Sequence, residues 1–202
     1  MQKFILAAVL LLPLGLHPKT EAQTLAGLRI GDDAARLTSL GAPSATNKYR
    51  SYLVRKWTLA NGNDLSVTTD TNDRIVYVES DWTGDDAATS CDLEGLKFGT
   101  TSLADIRKRL GSNGFTFQRR NGVIQVPDGT VTMTSFLVDD SIVTFITKVP
   151  IDGDQAESRA GSGASPADRA KLDAISIAAP KYAESEWGDR INDPRYKPPE
   201  WK

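Results

Sequence analysis

A short motif occurs twice in this chain of 202 residues. Residues 25–31 read LAGLRIG and residues 93–99 read LEGLKFG. The same step separates every aligned pair, from Leu25 and Leu93 to Gly31 and Gly99. Later anchors keep the order. Leu40-Gly41 matches Leu110-Gly111, Asn61-Gly62 matches Asp128-Gly129, and Asn72-Asp73-Arg74-Ile75-Val76 matches Asp139-Asp140-Ser141-Ile142-Val143. Ordered self-similarity at near-constant spacing marks a tandem duplication. It constrains the fold strongly, because whatever one copy forms the other should form too.

Each copy reads as a short helix followed by a three-stranded antiparallel meander. In the second, Leu103, Ile106 and Leu110 share one helical face. Thr101 or Ser102 supplies the N-cap, and Gly111 the left-handed residue that ends the helix. In the first, Asp32 or Asp33 caps, Leu37 and Leu40 face the core, and Gly41 stops the helix before Pro43. Strands follow over 50–59, 65–71 and 74–82, then in the second copy over 115–126, 130–138 and 141–149. The Asn-Gly and Asp-Gly turns between apolar runs are hairpin signals, since the favoured turns need positive φ. The expected fold is α+β: unit 1 over 23–84, unit 2 over 91–150, a linker over 151–164, and a tail over 165–202.

The last strand of each unit is apolar on both faces. Val76 and Val78 share one face and Ile75 and Tyr77 the other; Val143, Phe145 and Val149 oppose Ile142 and Ile146. A half-solvated strand alternates more cleanly. One face should pack on the helix, and the second needs a cover: the other copy, the tail, or a partner.

Residues 1–22 read as a secretory leader: Lys3, an apolar run over 4–16, and small residues Thr20 and Ala22 before Gln23. The run is short of the roughly 20 apolar residues a spanning helix needs, so no stable membrane anchor is expected and the mature chain is placed in the periplasm or outside the cell. The leader also holds His17, the only histidine. The remainder can build no Ser-His-Asp triad and no His-ligated zinc. One cysteine, Cys91, rules out an internal disulfide and leaves an intermolecular one, in a disulfide-linked homodimer, as the sharper alternative to an inert thiol. The net charge of −2, with only the short Arg107-Lys108-Arg109 run, argues against nucleic acid as a partner.

After Pro150 the composition changes. Residues 152–164 are rich in Gly, Ser, Asp and Ala. Ser165-Pro166-Ala167-Asp168 looks like a helix start, with Leu172, Ile175 and Ala179 as its stripe and Pro180 as its end. Tyr182, Trp187, Tyr196 and Trp201 then lie among charges and prolines, either in a disordered tail or as anchors that dock on a partner or the sheet.

The residues Ile30-Gly31, Leu40-Gly41-Ala42-Pro43, Phe98-Gly99 and Leu110-Gly111, each leading through a short helix into a meander, resemble the BamE (SmpA/OmlA) domain and the repeat of the β-lactamase inhibitor proteins. The resemblance covers 25–82 and 93–149. It implies a helix layer on a curved antiparallel sheet and a function in binding proteins, in outer-membrane assembly or as an inhibitor of secreted enzymes.

The expectation is therefore an exported protein-binding module, not an enzyme, without cofactor or metal, whose partner is another envelope or secreted protein. Tyr49, Tyr52, Trp57, Tyr77, Trp82, Phe117 and Phe136 are the candidate contacts, with Tyr52 and Tyr77 placed opposite the core face; ordinary packing is the plainer reading of each. The alternative is a carboxylate-dependent glycoside hydrolase of the envelope. Its acids, Asp70 and Asp73, Asp85 and Asp86, Asp139 and Asp140, all fall in turns, where Asp serves local hydrogen bonds. The same acids lack the ligand spacing of a calcium loop.

Overall fold

The computed structural model describes residues 23–91, 93, 95–120, 123–150, 166–192 and 196–199. The expected leader, the linker and Trp201 lie outside the described residues. The strands are β1 (Ala45–Tyr49), β2 (Tyr52–Thr58), β3 (Asp64–Thr69), β4 (Ile75–Asp81), β5 (Phe115–Phe117), β6 (Val123–Val126), β7 (Gly129–Val138), β8 (Ser141–Pro150), β9 (Lys171–Ala178) and β10 (Arg190–Asn192). They form one sheet in the order β1-β2-β3-β4-β9-β8-β7-β5-β10, with β6 also on β7. Every pairing is antiparallel. The α-helices are α1 (Leu103–Leu110), α2 (Pro166–Arg169) and α3 (Pro180–Trp187), and a 3-10 helix covers Ala34–Leu40.

This corrects the expected architecture. The chain does not form two helix-plus-three-strand units; the two halves feed a single ten-stranded sheet. What joins them is β9, taken from the tail and inserted between β4 and β8. Leu172, Ile175 and Ala179 fit a helical stripe, but Leu172, Ala174, Ile175, Ser176, Ile177 and Ala178 are all buried, as a central strand covered on both faces requires. Pro180, read as a helix end, opens α3.

The first half departs in a second way. Its helix is 3-10, capped by Asp33, and four strands follow rather than three. Residues 45–58 fold into the β1–β2 hairpin, with Tyr49 opposite Tyr52. The turn places Arg50 at φ 53°, a conformation usually signalled by Gly or Asn, and so the sequence carries no turn signature there.

Helix α1 follows the expectation. Ser102 and Asp105 form a reciprocal capping box, Gly111 sits at φ 60° and ends the helix, and Leu103, Ile106 and Leu110 are buried.

The first sheet face carries the main core. Leu65, Val67, Val78, Ile175, Ile177, Val143, Phe145 and Phe136 pack there under Leu25, Leu28, Leu37, Leu93, Leu96, Phe98 and the α1 residues Ile106 and Leu110. Both copies of the repeated motif thus deliver two leucines to one core. The second face is covered by the tail: Ala183 and Trp187 of α3 lie on Tyr77, Ile142, Ala178, Phe115 and Phe117. Ile75 joins the Val78 side rather than the Tyr77 side. A register shift opposite Thr68 and Thr69 makes Val76 the extra residue and turns Ile75 over.

Candidate functional site

The described tail anchors, Tyr182, Trp187 and Tyr196, are spent inside the molecule. Tyr182 meets Tyr52 edge-on at 5.0 Å and Tyr77 at 5.5 Å. Trp187 meets Phe117 at 5.3 Å and carries the Arg120 guanidinium 4.1 Å above its ring. Tyr196 packs on Phe115 at 5.6 Å. The candidate contacts fare similarly. Trp57 is buried and donates its indole N–H to the Gly41 carbonyl, Tyr77 and Phe117 lie under α3, and Phe136 packs on Phe145 in the first-face core. Tyr52 is half-buried against Tyr182. Tyr49 is exposed, at 48%, and Trp82, like Tyr52, is half-buried. The half-buried Cys91 thiol donates to the Leu93 and Leu96 carbonyls.

Trp82 borders a cleft of about 530 Å³ at the foot of the sheet. Its other walls are Leu172 and Asp173 at the start of β9, Lys171 beside them, Lys148 and Pro150 at the end of β8, and Asp128 from the β6–β7 turn. A register shift beside Ile146 and Thr147 leaves Asp173 as an extra residue in β9, and bulges of this kind re-aim a side chain. Its carbonyl still accepts from the Trp82 N–H at 2.9 Å, and the Leu172 carbonyl accepts from the Gly99 N–H at 2.8 Å. The indole N–H of Trp82 is taken by the Asp85 carbonyl at 2.9 Å. The benzo end of the ring lies over Gly99, where a Cβ would fall 2.4 Å from Cη2. The ring is thus held from both ends.

The charges balance within the cleft. Lys148 is ion-paired to Asp128 and its hydrogen bond holds that carboxyl below its ordinary range. Lys171 donates to the Asp168 carbonyl. Nothing among the described residues donates to the Asp173 carboxylate. Burial pushes its pKa up, Lys148 opposes this and Asp128 adds to it. Beside it on β4, Asp81 is raised to about 7 by burial first and the Glu79 charge next. The cleft therefore offers ammonium donors, a free carboxylate acceptor and an aromatic wall, with no histidine or thiol to act as nucleophile or base. Among the described residues no group of three acids, Cys or His is placed to hold a metal.

The second open feature is an edge. All five residues of β1 are exposed, and β1 pairs only with β2.

The turn acids singled out from sequence do local work. Asp70 accepts from the Asn72 and Arg74 N–H groups, Asp85 accepts from Ala87, and Asp139 takes a turn at φ 49°. Sequence reading missed Lys148, Lys171, Asp173 and Asp81. Their one signal was charge placed next to buried β-residues, and it becomes visible only once β9 is paired with β4 and β8.

No family model matches the chain, and no curated protein does. Two solved structures are similar in outline. One is described as an extracellular protein containing a SCP domain from Bacillus anthracis str. Ames, with a TM-score of 0.48 and 9% identity; the match covers 82% of this chain and 49% of that one, so this chain spans about half its length. The other is a DUF4309 family protein from Bacillus subtilis subsp. subtilis str. 168, with a TM-score of 0.44 and 13% identity over 76% of this chain and 83% of that one. Likenesses of that size carry no argument about function. No helix among the described residues is long and apolar enough to cross a membrane.

Proposed function

We propose that this is an exported binding protein, not an enzyme, which takes an extended segment of another envelope or secreted protein along the free edge of β1. The observation that carries this reading is that edge. The chain covers both faces of its sheet with its own residues, yet leaves a fully exposed strand unpaired on one side. An open edge is a row of unmet backbone donors and acceptors, and a partner strand satisfies them by main-chain bonds. Lys48, which carries charge on this strand, disfavours self-association and leaves a selective partner as the better occupant.

The carboxylate hydrolase finds its nearest support at the Trp82 cleft, where Asp128 and Asp173 are displaced in opposite directions. Such pairs run acid–base chemistry when the second carboxylate is free to act. Asp128 is open to solvent and already bound by Lys148, so it presents no free base, and binding is the preferred reading.

A photo-crosslinker at Asn47 tests the edge. It should capture a discrete envelope protein, while one at exposed Ser39, off the sheet, should not. Thr46→Pro should abolish the capture without changing the melt. Equal capture at both positions would remove the reading.

A further inference from the structure

We propose that the Trp82 cleft is a carbohydrate-binding site, which takes uncharged sugar residues against the indole and the Asp173 carboxylate and does not cleave them. This inference stands on the cleft and is independent of the β1 edge.

The case begins with the ring. A pyranose presents a flat patch of C–H groups, and a fixed aromatic surface is its complement. Trp82 is fixed twice, by the Gly99 backbone against its benzo end and by the Asp85 carbonyl on its N–H. With that N–H already used, the ring contributes apolar surface to the cleft rather than a donor. Leu172 and Pro150 extend that surface.

The polar rim decides the ligand class. Two carboxylates, Asp128 and Asp173, face two ammonium groups, Lys148 and Lys171. Its four charges sum to zero, so the cleft has no net charge with which to select an ion of either sign. A hydroxyl group has no such conflict, for it donates to a carboxylate and accepts from an ammonium. Sugars carry many hydroxyls and one apolar face, which is the same division the cleft shows.

Asp173 is the specific acceptor. It is half-buried, re-aimed by the register shift in β9, and receives no hydrogen bond from any described residue. The half-buried carboxylate remains accessible, so a ligand hydroxyl can take the place of water on it. The volume, about 530 Å³, falls within the range of small-molecule pockets, roughly 300–1,000 Å³.

Calorimetric titration of the full chain with cellotetraose, chitotetraose and maltotetraose tests the proposal. At least one should bind saturably, with no release of reducing ends. Asp173→Asn keeps shape and packing but weakens the acceptor, and Trp82→Phe narrows the platform; each should weaken binding by about tenfold with unchanged circular dichroism. Lys108→Gln, on the exposed side of α1, should leave binding as it was. Absence of binding by all three sugars, binding indifferent to Asp173→Asn and Trp82→Phe, or cleavage of the bound sugar would each overturn it.

Discussion

The phenol of Tyr77 donates its hydrogen to the carboxylate of Glu79, the next residue on the same face of β4. The pair lies at the rim of the tail-covered core, with Tyr77 buried under Tyr182 and Trp187. Burial first, and the Glu79 charge second, push the Tyr77 pKa well above its ordinary value. Burial also raises Tyr182. Tyr77→Phe should destabilise the protein by about 1.5–3 kcal/mol, the range for losing a hydrogen bond to a charged group. Glu79→Gln keeps an acceptor and should cost less. Thermal melts measure both, and an ultraviolet titration of the five tyrosines should show two phenols that ionise late.

Asp81 carries a pH dependence. Its folded pKa of about 7 stands above the ordinary 3.8, through burial, then Glu79, with Asp173 and Asp64 adding and Lys56 opposing. Below the lower value both states are protonated and the group costs nothing. Between the two, the folded protein holds a proton the unfolded chain has released, so this contribution to stability falls as pH rises and is fully lost above the folded pKa. Asp81→Asn should therefore raise the melting temperature at pH 8 and leave it unchanged near pH 4. A gain of equal size at both pH values would contradict the assignment.

Strand β9 closes the sheet between β4 and β8. A chain stopped after Pro150 leaves those two strands with bare edges and uncovers the core that Ile175 and Ile177 complete. It should aggregate or remain unfolded, by circular dichroism and gel filtration. A graded version is Ile175→Ala, which should cost about 2–5 kcal/mol in urea unfolding. Ile124→Ala, at a position 44% exposed, should stay within about 0.5 kcal/mol.

Gly99 and Trp82 are coupled by contact. Gly99 lies at φ +68°, and an added Cβ would strike the indole. Gly99→Ala should cost about 1–3 kcal/mol from overpacking and a further ~1–2 kcal/mol from the left-handed backbone. In a Trp82→Ala background only the backbone part should remain. Equal costs in both backgrounds, measured as a double-mutant cycle, would show that the two residues do not touch.

Parts of this fold are legible in the sequence because their causes are local. Ser102, Asp105 and Gly111 announce both ends of α1, and its buried stripe repeats at helical spacing. Asn61-Gly62 and Asp139-Asp140 mark turns that the backbone adopts, with Gly62 at φ 87° and Asp139 at φ 49°. The hairpin at Arg50 is illegible for the same reason in reverse, since Arg carries no turn preference. The second apolar face of β4 and β8 was readable as a surface in need of cover. The residues that line the cleft beside Trp82 were not readable.

By itself, then, the sequence determined the helix α1, the turns at Asn61-Gly62 and Asp139-Asp140, the strands β3, β4, β7 and β8, and the presence of a second greasy face. Tertiary structure alone decided that residues 171–178 are a strand, that it joins the two halves into one sheet, and that Lys148, Lys171 and Asp173 meet beside Trp82. A cap or a turn is satisfied by neighbours in the chain, so its residues reveal it. Leu172, Ile175 and Ile177 suit either a helix stripe or a doubly buried strand, and only the open edges of β4 and β8, far away in sequence, select between them.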